Sequence, residues 1–197
     1  MTLYRRILAI EDRLEFKQPL ENAIQNATAF LENASYNIAS SLSESQFILN
    51  EWFDEDFENK AGSWQLKPNR EVRLDAILDI YMEANKGQGD TRPATGIVKD
   101  VIMEQYFTQG GVICFRSGFA DNAKQHVIDG NAKYSKTLFG YSQKGTEVPI
   151  NDIANFIVSH DINVNPTYKA ALSNSRLGQG DFNLLIKGLK ERAAKKV

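Results

Sequence analysis

Carboxylates are the residues of this chain best suited to chemistry. Glu55 and Glu58 lie three apart in the acidic-aromatic run Glu51 to Glu58, and Asp75 and Asp79 lie four apart in a second apolar-patterned segment. Spacings of three and four bring side chains to one face of a helix. Two such helices packed together would present four carboxylates to one space. Hard oxygen ligands of that kind hold Mg²⁺ against the phosphates of a nucleotide.

Cations supply the second chemistry. Residues 182–197 carry Lys187, Lys190, Arg192, Lys195 and Lys196 against one acid, a local balance of +4. A helix face of this kind neutralises phosphates and binds nucleic acid in a salt-dependent way. Arg116, Lys124, Lys133, Lys136 and Lys144 would extend the patch, with Tyr134, Phe139 and Tyr141 as stacking groups. Cations also gather at helix C-termini simply because the dipole favours them there.

Other reactive types are sparse. With two histidines, His126 and His160, and one cysteine, Cys114, the usual zinc spacings are missing. Gly140-Tyr-Ser-Gln-Lys144 departs from a nucleophile elbow at its fifth residue, where glycine is required. Gly-Gln-Gly-Asp occurs at 87–90 and again at 178–181, but neither copy continues into a phosphate-binding glycine motif. The sequence thus nominates no catalytic residue, no committed metal ligand and no cofactor.

The charge is segregated. Residues 1–62 hold 5 Lys/Arg and 11 Asp/Glu, and residues 63–197 hold 18 and 14, within a net charge of −2. Acid early and base late suits contact between copies of one chain. Trp52, Asp54, Glu55 and Asp56 are the candidate partner-binding residues. The leading functional expectation is a non-enzymatic, self-associating assembly protein that contacts nucleic acid, as in a viral, phage or mobile-element component. The alternative is a helical, Mg²⁺-dependent nucleotide pyrophosphohydrolase using the carboxylates. No apolar stretch is long enough for a membrane span or a secretory signal, so a cytoplasmic setting is expected.

The elements that would position these groups read as mostly helical. Leu3, Ile7, Ile10 and Leu14 have helical spacing, as do Leu20, Ala23, Ile24, Ala27, Leu31 and Ala34 behind Pro19. Ser43 and Gln46 have the form of a capping box. Leu74, Ile77, Leu78 and Tyr81 mark a helix from Arg70, with Glu71, Asp75, Asp79 and Glu83 on its outer side. Further helices are predicted from Ile97 to Gly110, Asp121 to Ile128, Val148 to Val158, Asn165 to Leu172 and Asp181 to Lys195. Val112 to Phe115 and Thr137 to Tyr141, rich in β-favouring residues, would pair as an antiparallel ribbon. The expected fold class is mainly α: a single-domain helical bundle with a short two-stranded ribbon or extended core segment. Its two regions are an acidic one at 1–62 and a core with a basic C-terminal helix at 63–197.

Overall fold

Thr2–Ile10 forms a strand, β1, buried along its C-terminal half, and the rest of the fold is laid out on either side of it. The structure is a computed structural model, which describes residues 1–29, 31–79, 97, 100–117, 121–143 and 150–159. The chain continues through α1 (Leu14–Thr28), β2 (Ala34–Ala39), α2 (Leu42–Asp56) and a hairpin, β3 (Phe57–Lys60) and β4 (Ser63–Leu66). Then follow β5 (Arg70–Asp79), α3 (Val101–Gln109), β6 (Gly111–Ser117), α4 (Asp121–Lys133), β7 (Thr137–Gln143) and α5 (Ile150–Ser159). Five strands make one sheet in the order β2-β1-β5-β6-β7, with every neighbouring pair parallel.

This overturns the mainly-α bundle: the fold is α/β. The reason lies in how a parallel sheet hides its strands. With helices on both faces, its central strands are apolar throughout rather than alternating. Ile7 to Ile10 and Ala76 to Leu78 are such runs, and every residue in them is buried. A spacing of four is even, so it also places side chains on one side of a strand. Glu71, Asp75 and Asp79 are therefore a strand face, not a helix face. The segment from Leu3 is likewise β1, and the ribbon of Val112 and Thr137 is the parallel pair β6-β7, with Val112 opposite Leu138.

Two apolar clusters flank the sheet. One joins Leu8, Ile10, Leu74, Leu78, Ile113 and Phe115 to α2, α3 and α4, through Leu49, Phe53, Met103, Phe107 and Val127. The other joins Ile7, Ala9, Ile77, Val112 and Cys114 to α1 and α5, through Leu20, Ile24, Ile153 and Ile157. Each buried aliphatic side chain contributes about 1.5–3 kcal/mol. Cys114 is a core residue, as its surroundings in the sequence suggest.

Local signals were partly displaced. The capping residue of α2 is Ser41 rather than Ser43: its side chain accepts from the Glu44 N–H at 3.0 Å, and Glu44 accepts from the Ser40 N–H at 2.6 Å. That is a capping box two residues earlier. Pro19 lies inside α1, which begins at Leu14. Gly110 ends α3 as expected, whereas α4 runs through Gly130, where an added Cβ would meet the Phe139 ring at 2.6 Å. The expected helices at 165–172 and 181–195 lie outside the described residues. Among the described residues, no helix is long and apolar enough to cross a membrane.

Candidate functional site

In a doubly wound sheet, ligands gather outside the carboxyl ends of the strands, at the point where strand order reverses. Setting the hairpin aside, the present order is that of flavodoxin-like folds, first strand central and second at the edge, so the reversal falls between β1 and β5. Ile10 ends β1 opposite Leu78, and Asp79 ends β5. Glu11 and Asp12 follow β1 directly. Glu11, Asp12 and Asp79 each bring a carboxylate oxygen to within 4.8 Å of the other two. Glu11 is 1% exposed and Asp79 3%.

Local backbone fixes this group. The Glu11 N–H donates to the Ala39 carbonyl at 3.0 Å, extending the β1–β2 ladder past the last strand residue. The Arg13 N–H donates to Glu11 Oε1 at 3.3 Å, and α1 starts at the next residue. Three carboxylates this close repel one another and any bare anion. A divalent cation reverses the sign of the site. Oxygen donors alone, from two or three carboxylates, suit Mg²⁺, which keeps its remaining positions for water and phosphate oxygens.

Of the four carboxylates that sequence spacing singled out, only Asp79 belongs here. Glu55 accepts from Arg6 at 2.6 Å, and Glu58 pairs with Lys60 at 2.6 Å. Asp75 is fully buried; it is bonded by Arg5 at 2.7 Å, by Arg73 at 2.8 Å and by the Val112 N–H at 2.9 Å. Sequence reasoning missed Glu11 and Asp12. Their signal was available: an apolar run too short for a helix, ending in two acids.

The candidate partner residues do not share one surface. Trp52 and Asp56 are buried, while Asp54 and Glu55 are exposed. Asp56 anchors an internal network instead. Arg6 reaches it with Nε at 2.9 Å and Nη2 at 2.7 Å, Arg70 with Nη1 at 2.6 Å, and the Tyr106 hydroxyl at 3.0 Å. Burial works against the Arg6 charge, but the hydrogen bonds and charges of Asp56 and Glu55 outweigh it and hold the pKa above the ordinary arginine value. Burial, then the Asp56 charge and hydrogen bond, push the Tyr106 phenol above the ordinary tyrosine range.

Of the candidate nucleic-acid residues, Arg116 is in β6, next to Asp79 in register. Lys187, Lys190, Arg192, Lys195 and Lys196 lie outside the described residues, as does Lys144, the residue that follows β7 in the sequence. Compared with protein-family models, curated proteins and solved structures, the chain matches none.

Proposed function

We propose that the protein is a receiver-like phosphoacceptor domain. Glu11, Asp12 and Asp79 bind Mg²⁺, and the Asp79 carboxylate accepts a phosphoryl group from a donor molecule. The observation that carries this reading is the three-carboxylate cluster at the strand-order reversal of a parallel sheet.

The chemistry needs little beyond that cluster. An ionised carboxylate is already a nucleophile and forms acyl-phosphate intermediates in other phosphoryl-transfer proteins. Phosphoryl transfer is catalysed mainly by positioning and by neutralising charge on the equatorial oxygens. Mg²⁺ held by Glu11, Asp12 and Asp79 would supply that neutralisation. The Asp79 Oδ–P bond forms as the donor's P–O or P–N bond breaks, and the donor's leaving group keeps the electron pair: a carboxylate departs as the anion, whereas an amine takes up a proton from water. The product is a mixed anhydride, so the donor must carry a comparably labile bond: an acyl phosphate or a phosphoramidate. Hydrolysis of the Asp79 acyl phosphate then restores the carboxylate and makes the modification reversible, as a switch requires. Such donors are products of ATP-dependent metabolism, and a cytoplasmic setting would supply them.

The test is intact mass after incubation with Mg²⁺ and a small acyl phosphate or phosphoramidate. One phosphoryl group per chain is expected, absent with EDTA and absent in Asp79→Asn. No mass increase, or one that persists in Asp79→Asn, overturns the reading. Release of many phosphates per chain without a phosphoprotein would favour a hydrolase at the same carboxylates.

A further inference from the structure

A row of polar side chains crosses four adjacent strands just where the sheet meets the acidic cluster. Asp79 on β5 is opposite Arg116 on β6, and Arg116 is opposite Ser142 on β7. On the other side of Asp79, Ile10 and Leu78 are partners, so Glu11 continues the row by one residue past β1. Side chains two apart on a strand share a face. Ala9, Ile77, Val112, Cys114 and Leu138 all face α1 and α5. Glu11, Asp79, Arg116 and Ser142 fall on that same face, each at an even separation from them. Neighbouring strands are about 4.8 Å apart, so Arg116 is one strand away from the carboxylate that takes the phosphoryl group.

Arg116 is the cation of this row. Its Nε is buried and has no hydrogen-bond partner among the described residues. A buried guanidinium N–H without an acceptor is costly. A guanidinium also matches the oxygens of a phosphoryl group, to which it donates two parallel hydrogen bonds. We infer that Arg116 binds the phosphoryl oxygens on Asp79 and makes the site specific for a tetrahedral phosphoryl group. This rests on the phosphoacceptor reading of Asp79 and adds a residue to it. The carboxylates alone would bind the metal; Arg116 selects what the metal is bound with.

The experiment separates metal from anion. Mg²⁺ affinity and the rate of phosphorylation by a small acyl phosphate are measured for the unaltered chain, Arg116→Met and Arg116→Lys. Methionine keeps most of the side-chain stem, so packing is retained, and thermal melting checks that the variants fold. The expected result is Mg²⁺ binding equal to or a few-fold tighter than in the unaltered chain for Arg116→Met, because a nearby positive charge is gone. Its phosphorylation rate falls tenfold or more, and Arg116→Lys recovers part of it. A phosphorylation rate for Arg116→Met within twofold of the unaltered chain overturns this inference and leaves the phosphoacceptor reading standing. Parallel loss of metal binding and phosphorylation also overturns it, since Arg116 would then act only through the fold. An unaltered chain that binds no Mg²⁺ and takes no phosphoryl group overturns both.

Discussion

Arg6 and Asp56 make a two-point ion pair 50 residues apart in sequence, and both side chains are withdrawn from water, at 7% and 0% exposure. The pair ties the middle of β1 to the last residue of α2, just before the hairpin. Removing one side of a buried pair leaves the other charge without compensation, at a cost of about 3–5 kcal/mol. Asp56→Ala should show a loss of that order in urea unfolding, because Arg70 and the Tyr106 hydroxyl lose this partner and Arg6 keeps only Glu55 and Ser35. Arg70→Ala should cost less, since Arg70 is partly exposed and Asp56 keeps Arg6 and Tyr106. Equal effects of the two substitutions would show that the network is not centred on Asp56.

Tyr106 gives the same network a pH signature. Its phenol is raised above the ordinary value of about 10, chiefly by burial. Below pH 10 both folded and unfolded chains hold the proton, and the stabilisation is complete. Above pH 10 the unfolded chain releases it while the folded chain keeps it. The unfolded state then binds fewer protons, and stability falls as pH rises, by about 1.4 kcal/mol per pH unit for this one group. Unfolding midpoints between pH 9 and 11 should drop more steeply for the unaltered chain than for Tyr106→Phe. Parallel pH profiles would mean that the hydroxyl ionises in the folded state as it does in the unfolded one.

Much of this fold was written in patterns that two structures share. Leu74, Ile77 and Leu78 fit one side of a helix, yet in β5 they are buried on both sides of a sheet. Nothing within Arg70–Asp79 distinguishes those outcomes; what decides is that β1 and β6 pair with it in parallel. Helices with an outer polar face were legible for the same reason that the strands were not. Leu20, Ala23 and Ile24 bury one stripe of α1, while Glu21 and Asn22 stay outside the core. The site had a similar fate. Asp79 was singled out by its distance from Asp75, a spacing that carries no meaning for the cluster. Its real neighbours, Glu11 and Asp12, are nearly 70 residues away and meet it only because two strands end at the same edge.

Gly111 is where that edge-to-edge order is most exposed to a single methyl group. Its φ is +150°, and a Cβ there would lie 1.7 Å from the Leu74 carbonyl oxygen. Backbone cannot swing aside as a long side chain can. The Gly110 carbonyl beside it also accepts the Leu74 N–H at 3.1 Å, so β5 is held against the start of β6 at this point. Gly111→Ala should destabilise by about 4 kcal/mol or more, in the rare upper range for single substitutions. Denaturant unfolding measures this directly. A loss under about 1 kcal/mol would mean that β5 and β6 separate at Leu74 without cost.

Asp79→Asn tests the acidic cluster without any donor. In the absence of metal, three carboxylates within 4.8 Å of one another repel, and replacing one with an amide relieves that repulsion. The variant should therefore melt higher than the unaltered chain in EDTA. With Mg²⁺ the order should narrow or reverse. A cation that binds only the folded state stabilises it by about 2.7 kcal/mol at a concentration one hundred times its Kd, and the variant lacks one of the three anionic ligands. The unaltered chain gains stability on adding Mg²⁺, and Asp79→Asn gains much less at the same concentration. Melting curves of both chains across a Mg²⁺ series provide the check. If Mg²⁺ leaves the unaltered chain unchanged, or raises both chains equally, the carboxylates at the ends of β1 and β5 do not form a metal site.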